Sequence, residues 1–386
     1  MTVITTTKEL KQVCARMKNS AFIAIDTEFM RERTYWAQLC LIQVASEDEA
    51  VAVDPLAPEI DLKPFYRLLS NKKILKVFHA GRQDIEIFYR ETGKVPFPVF
   101  DTQVAGTVCG LGDQVSYENM VKKLVHAKID KTSRFTDWSR RPLSNKQIEY
   151  ALDDVRYLRP AYEKLRERLE KHDRMAWLEE EEKVLFNPDT YAYDPYNAWK
   201  RIKISNHKPR TLAILREVAA WREALAQEKN IPRNRVIRDD TVAAVALHPP
   251  KKHEDLSKIR NMHQHILGNE EYSANLLEAI QTGLNLPDKK CPHKAKKPHL
   301  QPGIGPVVEL LRVLLKQKSE ENFVAQRLIA NAAELELIAD SDEADVPAMR
   351  SWRYEIFGKD ALALKHGKIG LSIDKQHIKI MRLKDK

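Results

Sequence analysis

Asp26 and Glu28, one residue apart, close an apolar run of strand-forming type, Phe22-Ile23-Ala24-Ile25. On a strand, side chains at i and i+2 share a face, so the two carboxylates stand side by side within reach of one ligand. Like charges that close repel unless a cation joins them, and hard oxygen donors suit magnesium or manganese. Asp84 follows a second run, 73–79, near the start of an amphipathic helical pattern. Tyr150 and Asp154 lie four apart on a further helix, which puts both on one face about a turn apart. Its start is marked by Ser144 and Gln147, whose spacing is that of a capping box.

The elements that must carry these residues read as an α/β half. Segments 37–45 and 50–54 are further strands, 62–70 is helical, and 73–79 is another strand. DIEIFYRETG then forms a helix closed by Gly93, and a helical region runs from Ser144 to about Leu185. Beyond Phe186 the stretch NPDTYAYDPYNAW reads as a connecting segment packed onto a domain. Residues 207–286 read as all helical, 285–303 as a Pro- and Lys-rich boundary, and 304 to about 365 as a second helical bundle. Two helical units of similar size suggest a tandem pair, without a clean residue-level repeat.

At 386 residues with 43% hydrophobic content, the chain has material for two or three domains. Its apolar runs fall far short of the ~18 residues of a membrane span, and MTVITTTKEL lacks the pattern of a signal peptide, so a cytoplasmic protein without a membrane partner is expected. Four cysteines without C-x-x-C spacing argue against disulfides or structural zinc. The net charge of +9 lies wholly beyond residue 200, where 33 lysines and arginines meet 24 acids. That asymmetry suits a polyanion such as nucleic acid, and equally a solvated basic surface. There is no G-x-x-x-x-G-K-[ST], which excludes nucleotide-driven helicase chemistry.

D-T-E-F at 26–29, H-A-G-R-Q-D from His79 to Asp84 and Y-A-L-D-D from Tyr150 to Asp154, in that order, resemble the tyrosine-bearing class of the DEDD 3′→5′ exonucleases, and within it the ribonuclease D family. DWSRRPLS and WRYEIFGKDALAL are similar to that family as well, and the helical units resemble its HRDC domains. The resemblance implies an N-terminal ribonuclease-H-like exonuclease domain with a mixed sheet over 1–185 and a connector over 186–206. It further implies a first HRDC-like domain over 207–288, a linker over 289–302, and a second HRDC-like domain with a tail over 303–386.

It also implies Asp26, Glu28, Asp84 and Asp154 as ligands of two divalent ions, Mg2+ or Mn2+, with Asp26 the bridge. Four converging carboxylates carry about −4 charge, which two cations offset, and a pair about 4 Å apart suits phosphodiester cleavage. Tyr150 would hold the attacking water, the alternative being a tyrosine that fills a helix interface. Thr27 and Phe29 flank the acids where similar enzymes contact the terminal nucleotide. His79 is a further substrate-side candidate or a satisfied strand-end histidine. Lys131, Arg134, Arg140 and Arg141 are placed for phosphate contacts or simply for solvation, and Asp101 is read as a helix cap. The implied activity is 3′→5′ hydrolysis of RNA to nucleoside 5′-monophosphates, in transfer RNA precursors and other small structured RNAs; the sequence does not fix the oligomeric state, and a monomer is the favoured expectation. DNA as substrate, and an RNA-binding adaptor without catalysis, are the competing readings.

Overall fold

The computed structural model describes residues 3–130, 132–133, 136–294 and 300–383. The first part runs β1 (Val3–Ile4), α1 (Thr7–Met17), β2 (Phe22–Met30), β3 (Gln38–Ala45), β4 (Ala50–Val53), α2 (Lys63–Leu69), β5 (Leu75–Phe78), α3 (Arg82–Thr92), β6 (Val99–Asp101), α4 (Thr102–Val108), α5 (Tyr117–Leu124), α6 (Asn145–Lys171) and α7 (Met175–Phe186). The six strands form one mixed sheet in the order β1-β4-β3-β2-β5-β6. β2 pairs antiparallel with β3 and parallel with β5. It is covered on both faces. Ile23 and Ile25 join one apolar cluster with residues of α1, α2 and α3, and Phe22 and Ala24 join another with residues of α4, α5 and α6.

The mixed sheet flanked by helices is the expected architecture. Two elements stand outside those expected: β1, whose two residues carry no periodicity, and α1, which starts at a capping box of Thr6 and Glu9. The long helical region is broken at His172–Arg174, where Asp173 takes a left-handed φ of 52°.

Residues after α7 pack onto both neighbours. Tyr191 enters the core of the first domain, while Ala198 and Ile202 enter that of the next. The helical part comprises α8 (Pro209–Glu228), α9 (Arg233–Val236), α10 (Asp239–Leu247), α11 (His253–Leu256), α12 (Gln264–Leu267) and α13 (Glu270–Asn285), then α14 (Gly305–Asn322), α15 (Gln326–Ile329), α16 (Ala332–Asp340), α17 (Ser351–Arg353) and α18 (Lys359–Lys365). A hairpin, β7 (Ile369–Asp374) with β8 (His377–Arg382), closes the chain where only a tail was expected.

The two helical units share one stretch of backbone geometry. The chain turns left-handed at Asn230, two residues past α8, and at Phe323, directly after α14, with φ of 49° and 50°. A four-residue helix follows each after two residues, and Ile237 and Ala330 then extend the chain with matching φ of −151° and −155°.

Both helical units dock on the first domain. The Tyr35 hydroxyl, from the loop after β2, donates to Glu223 on α8, and Glu223 also pairs with Arg201 and Arg233 at 3.2 Å. Trp177 of α7 stacks on Trp352 at 4.3 Å and 12°, and Arg353 pairs with Glu180 and Glu181. Among the described residues no helix is long and apolar enough to cross a membrane.

Candidate active site

β2 changes character at its end, where the buried run gives way to half-buried acids. Asp26, Glu28 and Asp154 of α6 each offer a carboxylate oxygen, and these oxygens lie within 4.8 Å of one another. The β2–β3 register shifts between Glu28 and Phe29. A bulge re-aims the next side chain, and Phe29 lines the pocket together with Thr27 and Glu28. That pocket, about 400 Å³, is walled by Asp26, Glu28, Phe29, His79, Tyr117, Glu118, Tyr150 and Asp154.

Three devices set α6 in register. The Ser144 and Gln147 box is formed as read, with Gln147 N–H donating to Ser144 Oγ at 3.3 Å and Ser144 N–H to Gln147 Oε1 at 3.0 Å. Trp138, buried, lies against Tyr150 with ring centroids 6.1 Å apart. The Tyr117 hydroxyl donates to the backbone carbonyl of Asp154, with that of Asp153 at 3.2 Å.

Asp84 reaches the site by another route. After β5 the chain turns through Ala80, at φ 55°, and Gly81, where a Cβ would come within 2.4 Å of Phe78 Cβ. The Asp101 carboxylate accepts from the amides of Ala80 at 3.1 Å and Gly81 at 2.8 Å, and from those of Gln103 and Val104 at the start of α4. It is the expected helix cap and also the clasp of the turn that launches α3. The Asp101 amide in turn donates to Glu182 of α7. Asp84 is buried, accepts from the Thr27 hydroxyl, and lies outside the 4.8 Å group of three.

The electrostatics are those of crowded acids. Burial, then the charges of Asp154, Asp84 and Glu28, hold the Asp26 carboxyl well above the usual carboxylate range. Burial pushes Asp84 up to about 7, against the hydrogen bond from Thr27. Such a site favours cations strongly, because a bound divalent ion replaces repulsion with attraction. Carboxylate oxygens are the donors that magnesium and manganese take, so the residues present fit those ions.

The remaining sequence candidates divide. Thr27 lines the pocket and supports Asp84, to which its hydroxyl donates. His79 lines the pocket with Nδ1 3.0 Å from Thr102 Oγ1 and its ring edge-on to Tyr117; burial lowers its pKa, so it stands there neutral. Lys131 and Arg134 lie outside the described residues. Arg140 is exposed and pairs with Asp137 at 3.2 Å.

Arg141 is a correction. Its five N–H groups are spent on both oxygens of Asp54, at 2.6 Å, and on the carbonyls of Cys40, Trp138 and Arg140. No donor is left for a phosphate, and the residue pins the Trp138 loop to the sheet instead. Tyr117 and Glu118 were missed. The stretch bearing them, 116–126, has a helical pattern, but nothing local to it shows that its first turn faces the acids.

A mixed sheet whose central strand ends in a carboxylate cluster, completed by a tyrosine and an aspartate one helical turn apart, defines a 3′→5′ exonuclease. The 3′-5′ exonuclease family matches residues 1–170, and the HRDC domain family matches residues 211–280. The chain is 48% identical to ribonuclease D of Nitrobacter hamburgensis over 98% of each chain, and 45% identical to that of Bartonella henselae over 99% of this chain and 94% of the relative. The crystal structure of Escherichia coli RNase D, described as an exoribonuclease involved in structured RNA processing, superposes with a TM-score of 0.79 at 27% identity, covering 95% of this chain and 98% of that one. The chain belongs to the ribonuclease D family and is an exoribonuclease of the 3′→5′ type.

Proposed function

We propose that the chain shortens RNA from its 3′ end by a two-metal reaction that releases nucleoside 5′-monophosphates, and that its substrates are transfer RNA precursors and other small structured RNAs. The observation that carries this reading is the convergence of Asp26, Glu28 and Asp154 within 4.8 Å. These three and Asp84 would hold two divalent cations, Asp26 serving both. When bound, the cations supply an activated water and charge stabilisation at the leaving oxygen.

The protein's own side chains do the rest. The Tyr150 hydroxyl, on the pocket wall one turn before Asp154, holds the attacking water and eases its deprotonation. Phe29 offers an apolar face to the terminal base, and neutral His79 borders the sugar side of the pocket. Tyr117 keeps the Asp154 backbone in place. The structured-RNA description of the Escherichia coli relative and the +9 charge lying beyond residue 200 support an RNA body that rests on the helical units.

The test is incubation with 3′-extended transfer RNA and with single-stranded DNA, each with Mg2+, Mn2+ or a chelator, and product identification. RNA trimmed to 5′-monophosphates only with a divalent ion is expected. Asp26→Ala removes that activity while circular dichroism stays that of the parent. Equal cleavage of DNA, or activity in the Asp26→Ala protein, overturns the reading.

A further inference from the structure

Gln43 sits in the middle of β3, is 0% exposed, and has neither a donor nor an acceptor partner for its side-chain amide. Among the described residues it is the one glutamine or asparagine with both side-chain polar atoms buried and unpaired. An orphaned buried amide is costly, since each lost water contact goes unreplaced. A leucine or methionine at this strand position would carry no such cost. The amide therefore answers to something beyond packing.

Its neighbour identifies what. In the β2–β3 ladder Gln43 stands directly opposite Asp26, and on its other side opposite Ala52 of β4. Residues opposite each other on antiparallel strands project from the same face with Cβ atoms about 4.5–5.5 Å apart, well inside the reach of a glutamine side chain. Ala45, two residues along on that face, packs in the cluster beneath α6, the helix that carries Asp154. A donor without an acceptor thus lies beside a carboxylate enclosed by other carboxylates. Ala52 offers no side-chain alternative.

We propose that Gln43 is a positioning residue for Asp26: once the cage holds its cations, the amide N–H that is unpaired in this structure turns to donate to the Asp26 carboxylate and fixes that carboxylate's orientation. Orienting partners behind metal-binding side chains are worth about 10–100-fold in metal affinity or activity. The inference rests on the reading of Asp26 as a cation ligand.

The test uses the full chain and two variants, Gln43→Met and Gln43→Leu, both without hydrogen-bonding capacity. Calorimetric titration with Mn2+ reads the cage directly, and melting in EDTA reads the fold alone. The variants should melt in EDTA at or above the parent, because the orphaned amide is gone. Their Mn2+ affinity should fall by about 10–100-fold, and kcat should fall with the KM for a 3′-extended RNA within twofold of the parent. Parent-like Mn2+ affinity in either variant overturns the proposal. So does a loss of melting temperature that is equal in EDTA and in Mn2+, which marks a packing role. If the parent itself takes up no Mn2+, it is the cage that fails, a result distinct from both.

Discussion

Thr27 stands between the two acids of β2 in the pocket wall, and its hydroxyl donates to the carboxylate of Asp84 on α3. One tripeptide thus supplies two acids and the support of a third. Asp26 and Glu28 face α6 and the pocket, while Thr27 ties the fourth acid to the strand that carries the first two.

Tyr150→Phe should slow hydrolysis by roughly 10²–10⁴, the usual scale for losing a proton-handling group. Mn2+ affinity should stay that of the parent, because the carboxylates are untouched. Single-turnover rates together with calorimetry check this. A rate within a few-fold of the parent returns Tyr150 to a packing role against Trp138.

Tyr117→Phe keeps the ring against His79 and removes the hydroxyl that holds the carbonyls of Asp153 and Asp154. A loss of about 0.5–1.5 kcal/mol in unfolding free energy is expected, the net worth of one such bond. A fall in kcat exceeding any change in KM should accompany it. Urea melts and steady-state kinetics measure the two; an unchanged stability shows the hydroxyl to be dispensable.

Glu182 carries a pH dependence whose sign is fixed by its burial, which pushes its pKa up to about 9. The folded protein binds this proton where the unfolded chain has already released it. Stability from this group is therefore complete below about pH 4.5 and declines as pH rises toward 9, by up to about 1.4 kcal/mol per pH unit. Glu182→Gln retains the carbonyl that accepts from Asp101 N–H and cannot ionise. The variant should match the parent near pH 5 and exceed it at pH 8 in thermal melts, and parallel curves would show that Glu182 does not titrate in this range.

Arg141→Ala should cost stability and spare substrate affinity. It leaves the Asp54 carboxylate with the Leu56 amide alone and takes a donor from three carbonyls, for which about 1–3 kcal/mol is expected. The KM for RNA should stay within twofold. A KM rise with unchanged stability would restore the phosphate contact that its place in the sequence suggested.

Much of this protein is legible without coordinates. The apolar run of β2 ends at its acids, the capping box of Ser144 and Gln147 sets the phase of α6, and four-residue spacing puts Tyr150 with Asp154. Each is a local rule with a fixed period, so residue order alone determines it. What needed the tertiary structure is whatever depends on neighbours distant in sequence. Arg141 reads as a free cation until Asp54, 87 positions away, claims its guanidinium. Tyr117 shows no role until α6 passes over its hydroxyl, and Gln43 shows none until the β2–β3 register sets it against Asp26. The sequence by itself determined which residues could form the cage. Packing decided how they are held, because a hydrogen bond between remote segments leaves no periodic trace in the chain.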